Sequence, residues 1–168
     1  NKCIIAAGSS PVRLPFLPDD PRIIDSTGAL EMNLTSGRLL VIGGGIIGLE
    51  MACVYEALGA RVSVVELTGQ LLPDCDADLV APLAKRLRGR YEQILLNTRV
   101  TAVDAQADGL HVTFEDAKGS SIQLFDQVLV AVGRSPNGKL LGCDKAGVAV
   151  DERGFIATDK QMRTNVAN

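Results

Sequence analysis

The chain has 168 residues, 46% hydrophobic, 22% charged and 4% aromatic, with a formal net charge of −3 from 17 basic and 20 acidic residues. That is room for one ordinary domain with a real apolar core, which excludes wholesale disorder. The acidic balance and the absence of Trp argue against a nucleic-acid footprint or a base-stacking platform. No apolar run reaches the ~20 residues needed to cross a bilayer.

Asn1 opens directly into an apolar stretch, with neither an initiator Met nor a signal peptide, so the chain is expected to be an internal segment of a longer protein. Lys2 to Ala7 reads as a short buried strand that stops at Gly8. A loop punctuated by Pro11, Pro15, Pro18 and Pro21 follows. Asp25, Ser26 and Thr27 offer capping side chains for a short helix over Gly28 to Met32, and Gly37 closes the region. Arg38 to Ile42 is a buried strand, Gly43 to Gly45 a tight turn, Ile46 to Leu58 a helix with Gly59 as its stop, and Arg61 to Glu66 a second strand. Such a strand-helix-strand unit makes the two strands parallel. Asp74, Asp76 and Asp78 stand near the start of a second helix over roughly 77–90. Their alternation lacks the glycine and distal glutamate of a calcium loop, so helix capping is expected of them. Gln93 to Leu96 is another strand. Val100 to Val103, Leu110 to Glu115 and Ile122 to Phe125 then read as antiparallel strands, joined at Asp108-Gly109 and Lys118-Gly119. Gln127 to Val132 returns as a buried strand ending at Gly133. The expected fold is α/β, a Rossmann-like parallel sheet with an antiparallel β-meander.

The cysteines at 3, 53, 75 and 143 are too far apart for C-x-x-C chemistry. Cys3 and Cys53 sit in apolar runs and are expected to be buried. Without a disulfide framework a cytoplasmic location is expected.

Gly43-Gly44-Gly45-Ile46-Ile47-Gly48 satisfies G-x-G-x-x-G after a strand and at the opening of a helix, the context in which the pattern acts. Gly43 permits the sharp turn, Gly45 lets a pyrophosphate approach the backbone, and Gly48 lets helix and strand lie close. The helix N-terminus supplies free N–H groups and about half a positive charge. Glu66 ends the next strand 18 residues after Gly48, close to the ~20 expected for the acid that binds the adenosine ribose. It would repel a 2′-phosphate by a few kcal/mol at ~5 Å and an effective dielectric of ~20, which favours NAD over NADP. Glu50, read as first-turn, is either a carboxylate favoured by the helix dipole or a neighbour of the nicotinamide. Arg134 and Asn137 belong either to a plain turn or to a loop beside the cofactor, and the second reading is favoured because Gly133 ends a buried strand. His111 alternates with Leu110, Val112 and Phe114, which faces it to solvent in a structural role.

Four stretches occur in order: Ile5 to Ser9, Val41 to Glu50, Ala131 to Asn137, and Asp159 to Val166. Together they resemble the middle of a pyridine nucleotide–disulfide oxidoreductase, over essentially the whole chain. Gly48-Leu49-Glu50, Glu66 and Met162-Arg163-Thr164-Asn165 resemble most the dihydrolipoamide dehydrogenase family. The resemblance implies an FAD- and NAD-dependent enzyme that oxidises dihydrolipoamide in 2-oxo acid dehydrogenase complexes. It implies NAD contacts at Gly43, Gly44, Gly45, Ile46, Ile47, Gly48, Leu49, Glu50, Glu66, Val100 and Gly133, and FAD contacts at Ala7, Gly8 and Ser9. It also implies an NAD-binding domain over residues 37–137, with residues 1–36 and 138–168 connecting to the FAD and central domains. The partners implied for the whole enzyme are a lipoyl-bearing acyltransferase and a second copy. The C-x-x-x-x-C redox pair and the His-Glu pair of that family have no match here, and His111 does not replace them, so the segment alone is expected to bind NAD without catalysis. The competing readings are another disulfide reductase-type flavoenzyme and a non-catalytic dinucleotide sensor.

Overall fold

A computed structural model describes residues 2–33 and 35–167. Asn1, Leu34 and Asn168, which fall in the expected connecting segments, lie outside the described residues. The strands in chain order are β1 (Ser9–Pro11), β2 (Ile23–Ile24), β3 (Gly37–Ile42), β4 (Ala60–Val65), β5 (Gln93–Leu95), β6 (Arg99–Gln106), β7 (Gly109–Asp116), β8 (Gly119–Phe125), β9 (Gln127–Val130) and β10 (Arg134–Pro136). The α-helices are α1 (Ile46–Ala57) and α2 (Ala77–Arg88). The chain divides into two compact units, Arg13–Gly133 and the pair of segments Asn1–Val12 and Arg134–Asn168.

In the larger unit, β2, β9, β3, β4 and β5 form a sheet in that order, every pairing parallel. A parallel sheet is stable when both faces are covered, and the sequence supplies both covers. On β3, Leu39 and Val41 point to one face and Leu40 and Ile42 to the other, as strand alternation requires. The first pair joins Val62, Val64 and Leu129 beneath Leu49, Ala52 and Tyr55 of α1 and Val80 and Leu87 of α2. The second pair joins Val65, Val128 and Val130 beneath Val103, Leu110, Val112, Phe114 and Phe125 of an antiparallel meander, β6-β7-β8. The Rossmann-like sheet with an antiparallel meander is thus what forms. Tyr55 anchors α1 through its hydroxyl, which donates to the Ala29 carbonyl at 2.9 Å. Ala29 lies in a 3-10 turn over Gly28–Glu31, and Asp25 Oδ1 accepts from the N–H groups of Thr27 and Gly28 at its start. In the smaller unit, β1 pairs antiparallel with β10, and Val150 and Ile156 form an isolated bridge.

The structure corrects several expectations. Lys2 to Ala7 is not a buried strand: Ile4 is 91% exposed and Cys3 is exposed. Its apolar residues lack a ladder neighbour among the described residues, and the pairing starts only at Ser9. Cys53 is half-buried rather than buried. The last sheet strand stops at Val130, and Ala131 continues it only by a hydrogen bond from its N–H to the Ile42 carbonyl. Asp76 stands at the N-cap of α2 without a side-chain cap; its main-chain carbonyl takes the Leu79 and Val80 N–H groups instead. Among the described residues, Asp78 Oδ1 accepts only from the adjacent Leu79 N–H. No helix among the described residues is long and apolar enough to cross a membrane.

Candidate functional site

The carboxyl ends of β3, β4 and β9 meet at the glycine turn. Gly43 carries the ladder one step beyond β3, its N–H donating to the Val65 carbonyl at 2.9 Å. Its φ is +110°, and a Cβ there would stand 2.4 Å from the Ala131 carbonyl oxygen. A side chain is therefore excluded by both conformation and space. A Cβ on Gly48 would stand 2.1 Å from the Gly43 carbonyl oxygen, so the helix lies against the turn only because residue 48 has none. Gly45, at the N-cap of α1, is different: its φ is −78°, and nothing lies within 4 Å of where a Cβ would be. That open side is the approach a pyrophosphate requires.

Gly44 has a role that the G-x-G-x-x-G pattern leaves blank. Its N–H donates to Glu66 Oε2 at 2.7 Å, and its carbonyl accepts from the Leu72 N–H at 2.9 Å. A Cβ on it would meet Leu71 Cδ2 at 2.7 Å. Glu66 Oε1 accepts from the Thr68 N–H at 2.8 Å and from the Thr68 hydroxyl at 2.9 Å. Glu66 is 9% exposed, and its carboxylate accepts from three donors. The Thr68 hydroxyl also lies 3.0 Å from the Gln70 carbonyl, and the Thr68 carbonyl accepts from the Asn97 N–H at 2.9 Å. The acid thus ties the glycine turn to the segment after β4, and Asn97 ties that segment to the end of β5. From Leu67 to Asp76 there is no Lys or Arg.

Ile46 and Ile47 open α1, Ile46 65% exposed and Ile47 half-buried, and Leu49 is buried in the core. The N–H groups of the first turn have no intrahelical acceptor, and the first turn carries no acid. Glu50, expected in that turn, falls in the second because the helix begins at Ile46; it is exposed, and the helix-dipole reading of it lapses. Val100, near the start of β6, turns its side chain into the core beneath the meander. Gly133 follows β9 with φ +127° and nothing within 4 Å of a Cβ position.

The Ala7, Gly8 and Ser9 stretch lies in the smaller unit. Arg134 and Asn137 hold it: Asn137 Nδ2 donates to the Ala7 carbonyl at 3.0 Å and its N–H to the Gly8 carbonyl at 3.1 Å. Arg134 Nε donates to the Ser9 hydroxyl at 2.7 Å, and Nη2 donates to the Ser9 carbonyl. These two side chains clasp the first segment, a role that neither sequence reading gave them. His111 is half-exposed and pairs with Asp108 at 2.9 Å, and that hydrogen bond lowers the Asp108 pKa.

The residues present therefore fit a dinucleotide: an open glycine at a helix N-terminus, with a preorganised carboxylate at the end of the adjacent strand. The comparisons agree with the geometry. A family model described as pyridine nucleotide-disulphide oxidoreductase matches residues 1–168. The dihydrolipoyl dehydrogenase of Vibrio cholerae serotype O1 is 54% identical over 168 residues, covering 99% of this chain and 35% of that protein. The chain thus spans about a third of the length of the curated relatives it matches. Among solved structures, the Cu(II) complex of an HOCl-induced flavoprotein disulfide reductase from Escherichia coli superposes with a TM-score of 0.84 at 32% identity, over 96% of this chain and 37% of that one. The water-forming NADH oxidase from Lactobacillus brevis, bound to NADH, superposes with a TM-score of 0.76 at 29% identity, over 94% of this chain and 35% of that one. An engineered NADPH oxidase made from it, bound to NADPH, gives the same TM-score and coverage at 27% identity.

Proposed function

The chain belongs to the pyridine nucleotide–disulphide oxidoreductase family, and on that premise we propose that it is the NAD-binding part of a flavoprotein dihydrolipoyl dehydrogenase. Residues 37–137 carry the NAD-binding domain, and residues 1–36 and 138–168 lead from and back to the FAD-binding and central domains. In the whole enzyme bound FAD would supply the redox chemistry between dihydrolipoamide and the nicotinamide, with a lipoyl-bearing acyltransferase and a second copy as partners. This segment's own residues bind and orient. The first-turn N–H groups of α1 and the open face of Gly45 take the pyrophosphate. Glu66 takes the adenosine ribose with the lone pair its three donors leave over. The Val100 main chain borders the adenine, Glu50 and Gly133 border the nicotinamide, and Ala7, Gly8 and Ser9 border FAD.

The observation that carries this reading is the pairing of an unobstructed Gly45 with a Glu66 carboxylate fixed beside the same turn. The engineered oxidase supports its selectivity. In that NADPH-bound protein the substituted glycine and aspartate are eighteen residues apart, the two residues after the aspartate are also changed, and a substituted proline follows the aspartate by seven. The same spacing falls here on Gly48, Glu66, Leu67, Thr68 and Pro73. The test is calorimetric titration with NADH and NADPH of the natural polypeptide that carries this segment. We expect saturable NADH binding, at least about tenfold weaker binding of NADPH, and loss of both in Gly45→Val, whose side chain stands where the pyrophosphate approaches. A folded protein that binds neither cofactor would overturn the reading.

A further inference from the structure

β4 is covered on both faces, and strands of that kind run as near-continuous apolar sequence. Ser63 interrupts the run Val62-Ser63-Val64-Val65. Strand alternation turns it to the meander side with Val65, away from Val62 and Val64. The residue is 1% exposed, and its hydroxyl has no hydrogen-bond partner among the described residues. A buried hydroxyl left unpaired lowers stability, so its presence calls for a group that pairs with it. Ser63 lines a cleft of about 350 Å³, a size at the small end of sites that hold small molecules. Arg38, near the start of β3, and Glu92, just before β5, stand on the strands that flank β4, and Gln93, Gln123 and Phe125 also line the space. The cleft lies toward the amino ends of β3 and β5, whereas the glycine turn lies beyond the carboxyl end of β3.

The lining carries one charge of each sign. Arg38 donates to Asp126 through Nε at 3.2 Å and Nη2 at 2.8 Å, and it keeps N–H donors beyond the two that Asp126 takes. The Asp126 hydrogen bond raises the Arg38 pKa and the Glu92 charge raises it further, so the two lining charges lie within electrostatic reach of each other. Glu92 is half exposed and stands 3.5 Å from Arg61. Gln93 Nε2 donates to Gln123 Oε1, which braces the wall opposite. A net anion in this cleft would face Glu92, and a net cation would face Arg38. A neutral apolar molecule would leave the Ser63 hydroxyl unpaired. A molecule with an anionic and a cationic end meets all three demands. We propose that the cleft binds a small zwitterion of the amino-acid class, its carboxylate on the Arg38 guanidinium and the Ser63 hydroxyl, its ammonium on Glu92, and a short apolar side chain beside Phe125. The site is separate from the glycine turn, and the proposal does not rest on the dinucleotide reading.

The test is saturation-transfer difference NMR on the natural polypeptide that carries this segment, with L-valine as the probe. Isovalerate, which lacks the ammonium, and isobutylamine, which lacks the carboxylate, are the controls. L-Valine is expected to bind with a roughly millimolar dissociation constant, as suits so small a ligand, and each control at least about tenfold more weakly. Saturating NADH is expected to leave L-valine binding unchanged. Ser63→Ala is expected to weaken L-valine at least about fivefold, while its urea midpoint stays at or above that of the unaltered protein, because the hydroxyl removed has no partner there. Glu92→Gln is expected to weaken L-valine about fivefold and to strengthen isovalerate by a similar factor, since the lining then carries net positive charge. That reversal is a readout that a merely structural Glu92 would not give. Four results would each overturn the proposal: no binding of L-valine, displacement of L-valine by NADH, isovalerate binding the unaltered protein as tightly as L-valine, or full L-valine affinity in Ser63→Ala. None of them touches the dinucleotide reading, which stands or falls on its own titration.

Discussion

The Gly44 N–H donates to Glu66 Oε2 at 2.7 Å, so the acid at the end of one strand holds the turn at the end of its neighbour. Glu66→Gln tests that hold without removing bulk. Whichever way the amide is turned, its NH2 faces a main-chain N–H, of Gly44 or of Thr68. The substitution is expected to lower the free energy of unfolding by about 1–3 kcal/mol in urea titration. Glu50→Gln, at an exposed position, is expected to change it by less than about 0.5 kcal/mol.

The glycines of the turn are expected to separate into two classes. Gly43→Ala and Gly48→Ala each press a methyl group against backbone oxygen, at 2.4 and 2.1 Å, and should cost about 3 kcal/mol or more, visible as a loss of cooperative unfolding. Gly45→Ala meets nothing within 4 Å and should fold with a change of about 1 kcal/mol or less. NADH affinity should nonetheless fall about tenfold in Gly45→Ala, because the methyl group intrudes on the phosphate approach.

Tyr55 is 1% exposed, and burial raises its pKa. Tyr55→Phe keeps the packing and strands the Ala29 carbonyl. A loss of about 1–2 kcal/mol in chemical denaturation is expected, with the near-ultraviolet signal of the folded state retained.

Acid should weaken the larger unit through two aspartates. The Arg22 side chain and N–H hold the Asp20 carboxyl at about 2, below its ordinary 3.8, and Arg38 lowers Asp126 in the same way. A depressed folded pKa gives stability that is present above the unfolded value and is lost as pH falls through the folded one. The denaturation midpoint should therefore drop between about pH 4 and pH 2. Asp20→Asn and Asp126→Asn should each flatten that limb. Added salt should shrink the effect, because the pairs are partly solvated.

Much of the fold could be read from the sequence because its signals are local. The apolar runs of β3 and β4, the Asp108-Gly109 and Lys118-Gly119 turns, and the glycine pattern before α1 each announce themselves within a few residues. The failures are non-local. Lys2 to Ala7 has the composition of a buried strand, but burial depends on a neighbour that the composition does not reveal. β2 is two residues long and lies in the proline-rich region, too short to carry a period, yet it completes an edge of the sheet beside β9. The spacing of Glu66 predicted its place, but not that its oxygens already serve Gly44 and Thr68. Those bonds depend on how the segment after β4 folds back, and neither Thr68 nor Gly44 shows any pattern that signals it.

The order of strands in the sheet has a consequence for synthesis. β9 lies between β2 and β3, yet it leaves the ribosome after β4, β5 and the whole meander. While the chain grows, the edge of β3 that will receive β9 stays open, and the meander's apolar face lacks the part of its floor that Val128 and Val130 supply. Pairings so distant in sequence form slowly and leave adhesive edges in the interval. A nascent chain halted before Gln127 would thus display a half-built sheet with a free edge, a natural substrate for holding chaperones. Only the arrival of Gln127 to Val130 closes that edge and brings Ala131 against Gly43.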